Sequence, residues 1–186
     1  MPRLSAMDPT RATGKAKELL DGVQASLGVT PNLMRTLAHS PAALEAYLAS
    51  TAALSRGRLS ARLREQIALA VAEANGCECC LAAHTALGRK VGLPENVLRS
   101  SRAGASDDPR ASAALQFAHA VLTRRGQVTD GDVERVRQAG YGDGEIVEII
   151  AHVAVNIFTN YFNLVAETAV DFPRVERDSP VACRDC

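Results

Sequence analysis

The sequence predicts an all-α protein, a single-domain helical bundle of about seven to nine helices. Two observations carry that prediction. Ala, Leu, Glu and Arg recur at three- and four-residue intervals, while the alternating Val, Ile, Thr and aromatic pattern of strands is scarce. Gly and Pro stand between the periodic stretches rather than inside them, where helices start and stop.

Taken in order, Thr13 caps a helix over residues 15–27, with Leu19, Leu20, Val23 and Leu27 inward and Gly28 ending it. Thr30-Pro31 and Ser40-Pro41 repeat one signature, a capping hydroxyl before Pro at the first helical position. A short helix is expected from Pro31 and a longer one from Pro41 to Ser55. Ser60 caps the next, whose stripe is Leu63, Ile67, Ala70, Val71 and Ala74. On the same helix Glu65 shares a sector with Ala61, Ala68, Leu69 and Ala72, so its carboxylate is either buried or held in a local ion pair. Asn75-Gly76 breaks the chain before a helix from Cys77 to about Lys90, closed by Gly92. A short piece from Pro94 to about Arg102 precedes the linker GASDDP.

Asp107 or Asp108 caps a helix to Arg125, with Leu115, Phe117, Ala118, Val121 and Leu122 on its apolar side and His119 beside it. Thr129 caps a helix over residues 131–139. The glycine-rich turn over 140–144 is a helix joint rather than a phosphate loop, because no strand precedes it and no Gly-Lys-Ser/Thr follows. Residues 145–170 are apolar almost all round, as in a central helix, except for a ridge of His152, Asn156, Thr159, Asn160 and Asn163. That ridge predicts a hydrogen-bonded structural or subunit-interface network, or the lining of a cavity. Asp171-Phe-Pro173 stops the helix. The resulting division is a helical domain over residues 1–173 and a polar tail over 174–186 that ends in Cys183-x-x-Cys186.

Composition removes several classes of function. Lys and Arg number 21 and so do Asp and Glu, which indicates neither a nucleic-acid nor an anionic-membrane footprint, and 4% aromatics is too few for base stacking. The N-terminal segment lacks an apolar core like that of a signal peptide, and no run approaches the roughly 18 apolar residues of a membrane span. A cytoplasmic protein with no membrane partner is expected. The five cysteines, three of them in Cys77-Glu78-Cys79-Cys80, do not suit a secreted disulfide framework.

The chemistry sits in the array Cys77-x-x-Cys80-x-x-x-His84. If Cys77 opens a helix, all three side chains share one face, and the partial positive charge of the first turn favours thiolate. His84 adds a base within reach, and no cofactor is called for.

Glu65, eleven intervening residues, then Cys77-x-x-Cys80-x-x-x-His84 resembles the signature of the alkyl hydroperoxidase D and carboxymuconolactone decarboxylase superfamily. The flanks GVTPNLM and NIFTNYFNLVAETAVDFP resemble its subgroup of uncharacterised peroxidase-related proteins. The resemblance implies an alkyl hydroperoxidase D-like all-α fold and obligate homo-oligomers, trimers or hexamers. By position it makes Cys80 the peroxide-attacking thiol, Cys77 the resolving and proton-donating one, His84 a proton relay and Glu65 the acid/base acting through it. A small-molecule hydroperoxide would be the substrate and a thiol protein the reductant. One departure is Cys79, which stands where the family commonly has His.

Three readings compete. The first is the thiol peroxidase. The second is a lactone decarboxylase or isomerase on the same fold, which needs no dithiol. The third is a non-enzymatic redox-sensing or metal-binding protein built on the cysteines and His84. A zinc site joining the two CxxC pairs is disfavoured, because roughly a hundred residues separate Cys80 from Cys183 and compact zinc motifs are far tighter.

Overall fold

The computed structural model describes residues 1–176 as nine helices and, among those residues, no strand: α1 (Gly14–Leu27), α2 (Asn32–Leu37), α3 (Pro41–Leu54), α4 (Ala61–Asn75), α5 (Glu78–Lys90), α6 (Glu95–Arg102), α7 (Pro109–Thr123), α8 (Asp130–Gln138) and α9 (Asp143–Ala166). The Cys183-x-x-Cys186 tail lies outside the described residues.

Most helix starts follow from side chains that satisfy orphan N–H groups. Ser40 and Ser60 accept from Ala43 N and Leu63 N, Asp108 accepts from Arg110 N ahead of Pro109, and Thr129 forms a reciprocal capping box with Asp132. Two expected caps differ. Thr13 makes no side-chain cap bond, and α2 begins after Pro31, with its Asn32 N–H donating to the distant Asp171 carboxylate at 2.8 Å. That long-range contact also explains why α9 ends at Ala166 rather than near Val170. Glu167 turns left-handed (φ 50°), and the chain leaves the helix axis to bring Asp171 to α2.

Helix α4 is the centre, packed by α5, α6, α7 and α9. Its residues from Gln66 through Glu73 are all buried, and each fully buried Ile, Leu or Val there contributes about 1.5–3 kcal/mol. Ala74 is exposed, as is Leu27, so neither joins the core that the helical stripes assigned them. The core divides into three clusters, two of which include α4. Ile67, Val71, Leu115, Phe117, Val136, Ile149 and Val153 join α4 to α7, α8 and α9. Leu20, Val23, Leu37 and Leu44 join α1, α2 and α3. Leu69, Leu81, Leu93 and Leu98 enclose Cys77 and Cys80 between α4, α5 and α6. Gly88 allows that last closeness, since a Cβ there would lie 2.5 Å from Leu98 Cδ2.

The interior side of helix α9 changes character along its length, with Ile146, Ile149 and Val153 buried in its first half and polar side chains in its second. Asn156, Thr159, Asn160 and Asn163 are buried, whereas Val147, Ile150, Phe158, Tyr161, Leu164 and Val165 are exposed. The expectation of an apolar helix buried all round is thus corrected: its interior side carries the polar ridge. With 24 residues and a mean hydropathy of 1.4, α9 also reaches the length and apolarity of a membrane span, contrary to the expectation that no segment would. Its contacts with α3, α4, α5 and α7 are those of a core helix.

Candidate functional site

A single left-handed residue builds the site. Gly76 (φ 71°) closes α4, and the N–H of Cys77 donates to the carbonyl of Ala72 at 3.0 Å. A residue with a side chain is strained in that conformation, so the Gly in Asn75-Gly76-Cys77 is what permits one helix to follow another without a loop. Cys77 is then the N-cap of α5, and its Sγ accepts the N–H of Cys80 at 3.3 Å. Cys77 and Cys80 are joined by a disulfide, their Cα atoms 5.3 Å apart, and both are buried.

His84, one turn beyond Cys80, meets Glu65 of α4, with Nδ1 2.9 Å from Oε2. The two side chains are 22% and 19% exposed, so the pair is sheltered yet not sealed from solvent. Glu65 falls between the two expectations: it is half-buried, and its partner is a histidine ring on the next helix.

Residues distant in sequence complete the surroundings. Asn163 of α9 donates its Nδ2–H to Cys80 Sγ at 3.3 Å, and Asn75 donates to Asn160 Oδ1 at 3.0 Å. The polar ridge therefore faces the dithiol, and it is both a hydrogen-bonded network and part of the site. It is not fully satisfied: His152 Nε2, Asn160 Nδ2 and Asn163 Oδ1 are buried without a hydrogen-bond partner. Burial, then the Arg64 charge, holds His152 below its ordinary range, against the pull of Glu148 and Glu65. Tyr47 of α3 is pushed up to about 12 by burial and by the Glu65 carboxylate. His119 is exposed on α7.

Cys79 shows what replaces the expected imidazole. It is a half-buried free thiol, pushed up to about 11 by burial and, second, by the charge of Asp171. It stays a neutral thiol near pH 7 and offers neither a base nor a ready nucleophile. Cys77 and Cys79 line an open depression of about 460 Å³ with Asn163, Thr168 and Arg174, and Cys80 is not among its lining residues. Among the described residues, no three His, Cys, Asp or Glu side chains converge as metal ligands.

Sequence reasoning missed one contact to this array and one buried ion pair elsewhere on α4. Asn163 was visible as one of the ridge residues, but its partner was not. Glu73 carried no signal at all: it is buried on α4 and paired with Arg102 of α6 at 2.9 Å, their side chains 7% and 8% exposed.

A helical bundle with a helix-capping dithiol beside a Glu–His pair defines a class of thiol-bearing all-α proteins. Residues 39–120, which hold the whole Glu65-to-His84 array, match the carboxymuconolactone decarboxylase family, and the fold of the chain is alkyl hydroperoxidase D-like. A solved structure from Ralstonia eutropha JMP134, described as an alkylhydroperoxidase AhpD core and uncharacterized peroxidase-related protein, is similar at 27% identity and TM-score 0.82, covering 91% of this chain and 92% of that one. An uncharacterized peroxidase-related protein from Silicibacter sp. TM1040 is similar at 25% identity and TM-score 0.77, covering 89% and 91%. The debrominase Bmp8, solved as its C82A variant with 2,3,4-tribromopyrrole, shares the fold at 19% identity and TM-score 0.77, covering 90% and 91%. No curated protein matches the chain.

Proposed function

We propose that this chain is a cytoplasmic thiol-dependent peroxidase that reduces small organic hydroperoxides through Cys77 and Cys80, needs no cofactor, and is returned to the dithiol by a thiol protein. The observation that carries the reading is the Cys77–Cys80 disulfide at the start of α5, flanked by the Glu65–His84 pair on one side and the Asn163 amide on the other.

In the reduced chain the Cys80 thiolate attacks the terminal peroxide oxygen, the O–O bond breaks, and the departing alkoxide takes a proton. His84 relays that proton, and Glu65 at its Nδ1 fixes the ring and exchanges protons through it. Cys77 then attacks the Cys80 sulfenic acid, water leaves, and the disulfide forms. The outward side of α9, with Phe158, Tyr161, Leu164 and Val165, fits a second copy of the chain in a trimer or hexamer, since a contiguous apolar surface of this kind is unusual on a monomer.

The test is one equivalent of an organic hydroperoxide added to the reduced chain, followed by trapping and peptide mapping. A sulfenate on Cys80 and then a Cys77–Cys80 disulfide are expected, with turnover abolished in Cys80→Ser. Absence of both oxidised forms refutes the proposal, and a sulfenate on Cys77 reverses the two roles. Glu65→Gln is expected to lower turnover about 10²-fold or more, the low end of general acid–base contributions. Because the fold also hosts a debrominase, 2,3,4-tribromopyrrole belongs in the substrate panel; turnover of it without turnover of hydroperoxide also refutes the proposal.

A further inference from the structure

The mechanism leaves two buried polar groups beside the dithiol unused. Thr168 follows the left-handed Glu167 that ends α9, and its N–H donates to the Asn163 carbonyl at 3.1 Å, so the turn holds the two residues together at the end of the helix. Asn163 and Thr168 are 5% and 8% exposed, both line the depression that Cys77 lines, and Asn163 Oδ1 and Thr168 Oγ1 have no hydrogen-bond partner. Buried polar atoms are almost always paired, so two orphans in one depression mark a surface that a ligand completes. The charged residues of the depression, Glu78, Glu167 and Arg174, are exposed. Solvent screens them, and selection at the floor falls to hydrogen bonds. Cys77 lines the depression and Cys80 does not, so Cys77 Sγ is the sulfur that an incoming thiol meets; because Cys77 is buried, exchange there depends on how that thiol is seated.

We propose that Asn163 and Thr168 are the docking pair for the reductant, binding the main chain of the cysteine residue, in a dithiol protein, that attacks Cys77. The proposal rests on the redox-active dithiol of the peroxidase reading and names what that dithiol's reductant must present. A peptide unit carries one N–H donor and one carbonyl acceptor, the complement of the Asn163 side-chain oxygen and the Thr168 hydroxyl. Asn163 Oδ1 belongs to the amide whose Nδ2–H lies on Cys80 Sγ at 3.3 Å, and Cys80 is bonded to Cys77, so the acceptor and the target sulfur lie within the span of one cysteine residue. The seated thiolate attacks Cys77 Sγ, the Cys77–Cys80 bond breaks, and its electron pair leaves on Cys80 Sγ, where the Nδ2–H stabilises it. The second thiolate of the reductant then attacks the first, breaks the mixed disulfide with Cys77 and leaves the reductant as a disulfide. Two electrons have passed to the core pair, and Cys77 and Cys80 take up protons from solvent. Hydrogen bonds in series strengthen one another, so an N–H on Asn163 Oδ1 strengthens the Nδ2–H bond to the departing sulfur. Docking and leaving-group release are thereby coupled through one amide.

In the experiment diamide, not peroxide, forms the core disulfide in the full chain, so the result does not depend on the physiological oxidant. The probes are a reduced hexapeptide, acetyl-Ala-Cys-Gly-Pro-Cys-Lys-amide, and 2-mercaptoethanol, which has no peptide unit. Rates of loss of the Cys77–Cys80 disulfide are read by acid quench, alkylation and mass spectrometry and corrected for thiolate fraction. The measured quantity is the ratio of the hexapeptide rate to the 2-mercaptoethanol rate, in which changes to the disulfide itself cancel. Thr168→Val keeps the side chain's shape without its hydroxyl and should lower the ratio about 3- to 10-fold, the effect of about one hydrogen bond. Thr168→Ser should restore it to within about twofold of the parent, since the donor is kept. Asn163→Leu should slow both probes and also lower the ratio by at least as much as Thr168→Val. A ratio unchanged in Thr168→Val, or not restored in Thr168→Ser, overturns the docking pair. Reduced thioredoxin in place of the hexapeptide should show the same loss; a loss confined to the hexapeptide makes a small cysteinyl thiol the occupant and overturns the assignment to a dithiol protein. A chain that discriminates in this way but reduces no hydroperoxide loses the peroxidase reading alone; one that reduces hydroperoxide with an unchanged ratio loses the docking pair alone.

Discussion

Asn163→Leu removes one hydrogen-bond donor from Cys80 Sγ while keeping the side chain's size, and its effect can be worked from the 3.3 Å contact. A hydrogen bond to a charged group contributes about 1.5–3 kcal/mol, and about 1.4 kcal/mol corresponds to one pH unit, so the Cys80 ionisation should rise by roughly 1–2 units. Below that ionisation the thiolate fraction falls about 10- to 100-fold. Intrinsic nucleophilicity recovers part of the loss, because it grows with basicity with a slope of about 0.4–0.5. The net expectation is a rate of Cys80 alkylation roughly 3- to 15-fold lower at neutral pH and roughly 3- to 10-fold higher once both proteins are fully ionised. The two pH profiles therefore cross. The fold should tolerate the change, since Asn163 Oδ1 is already buried without a partner and its removal relieves an unsatisfied acceptor. The assay is the pH dependence of iodoacetamide reaction at Cys80 in a Cys77→Ser/Cys79→Ser background, with ultraviolet thiolate absorbance as the direct titration. Superimposable profiles with and without the Asn163→Leu substitution, and no shift in midpoint between them, would refute the assignment of Asn163 as the donor that holds the thiolate.

Three further outcomes follow from the same geometry. Cys79, pushed up to about 11, should be the slowest of the three clustered cysteines to alkylate near pH 7 in the reduced chain, and Cys79→Ser should keep most of its turnover; rapid labelling of Cys79 contradicts its description as a neutral thiol. His152 ionises below its ordinary 6.5 when folded, so the unfolded chain binds the proton first and stability drops as pH falls below about 6.5. His152→Gln should flatten that acid limb of melting temperature against pH, and an unchanged slope counts against the buried neutral imidazole. Arg102→Ala should cost about 3–5 kcal/mol in urea unfolding, because it takes the guanidinium counter-charge from the buried Glu73 carboxylate, whereas a loss under 1 kcal/mol would mean that the pair is solvated.

Helix starts were legible where a short polar side chain stands one residue ahead of a periodic stretch, as at Ser40, Ser60, Asp108 and Thr129, because capping is a local interaction. The Gly76 joint was legible for the same reason, whereas Glu65 was narrowed only to burial or a local ion pair, because its partner His84 stands on the next helix. What failed was orientation. A helical wheel fixes angles between residues but not which side meets a neighbour, so α9 showed its polar ridge and its apolar side without showing that the ridge faces inward. Contacts between remote segments were equally hidden. Asn163 on Cys80, Arg102 on Glu73 and Asp171 on the start of α2 each join residues with no periodic relation to one another.

The Gly76 joint makes the spacing of the motif a ruler. Helices α4 and α5 meet with one left-handed residue between them, so the count from Glu65 to Cys77 sets not only a distance but the rotational phase of α5 against α4. Each residue of an α-helix advances about 100° around its axis. An insertion or deletion of one residue within α4 after Glu65 would turn the cysteine face by about that angle, carrying His84 away from Glu65 and Cys80 away from Asn163 together. Substitutions within the interval can be absorbed by packing; a change in its length cannot. The eleven residues between Glu65 and Cys77 are thus a phase constraint, and their number matters more than the identity of most of them.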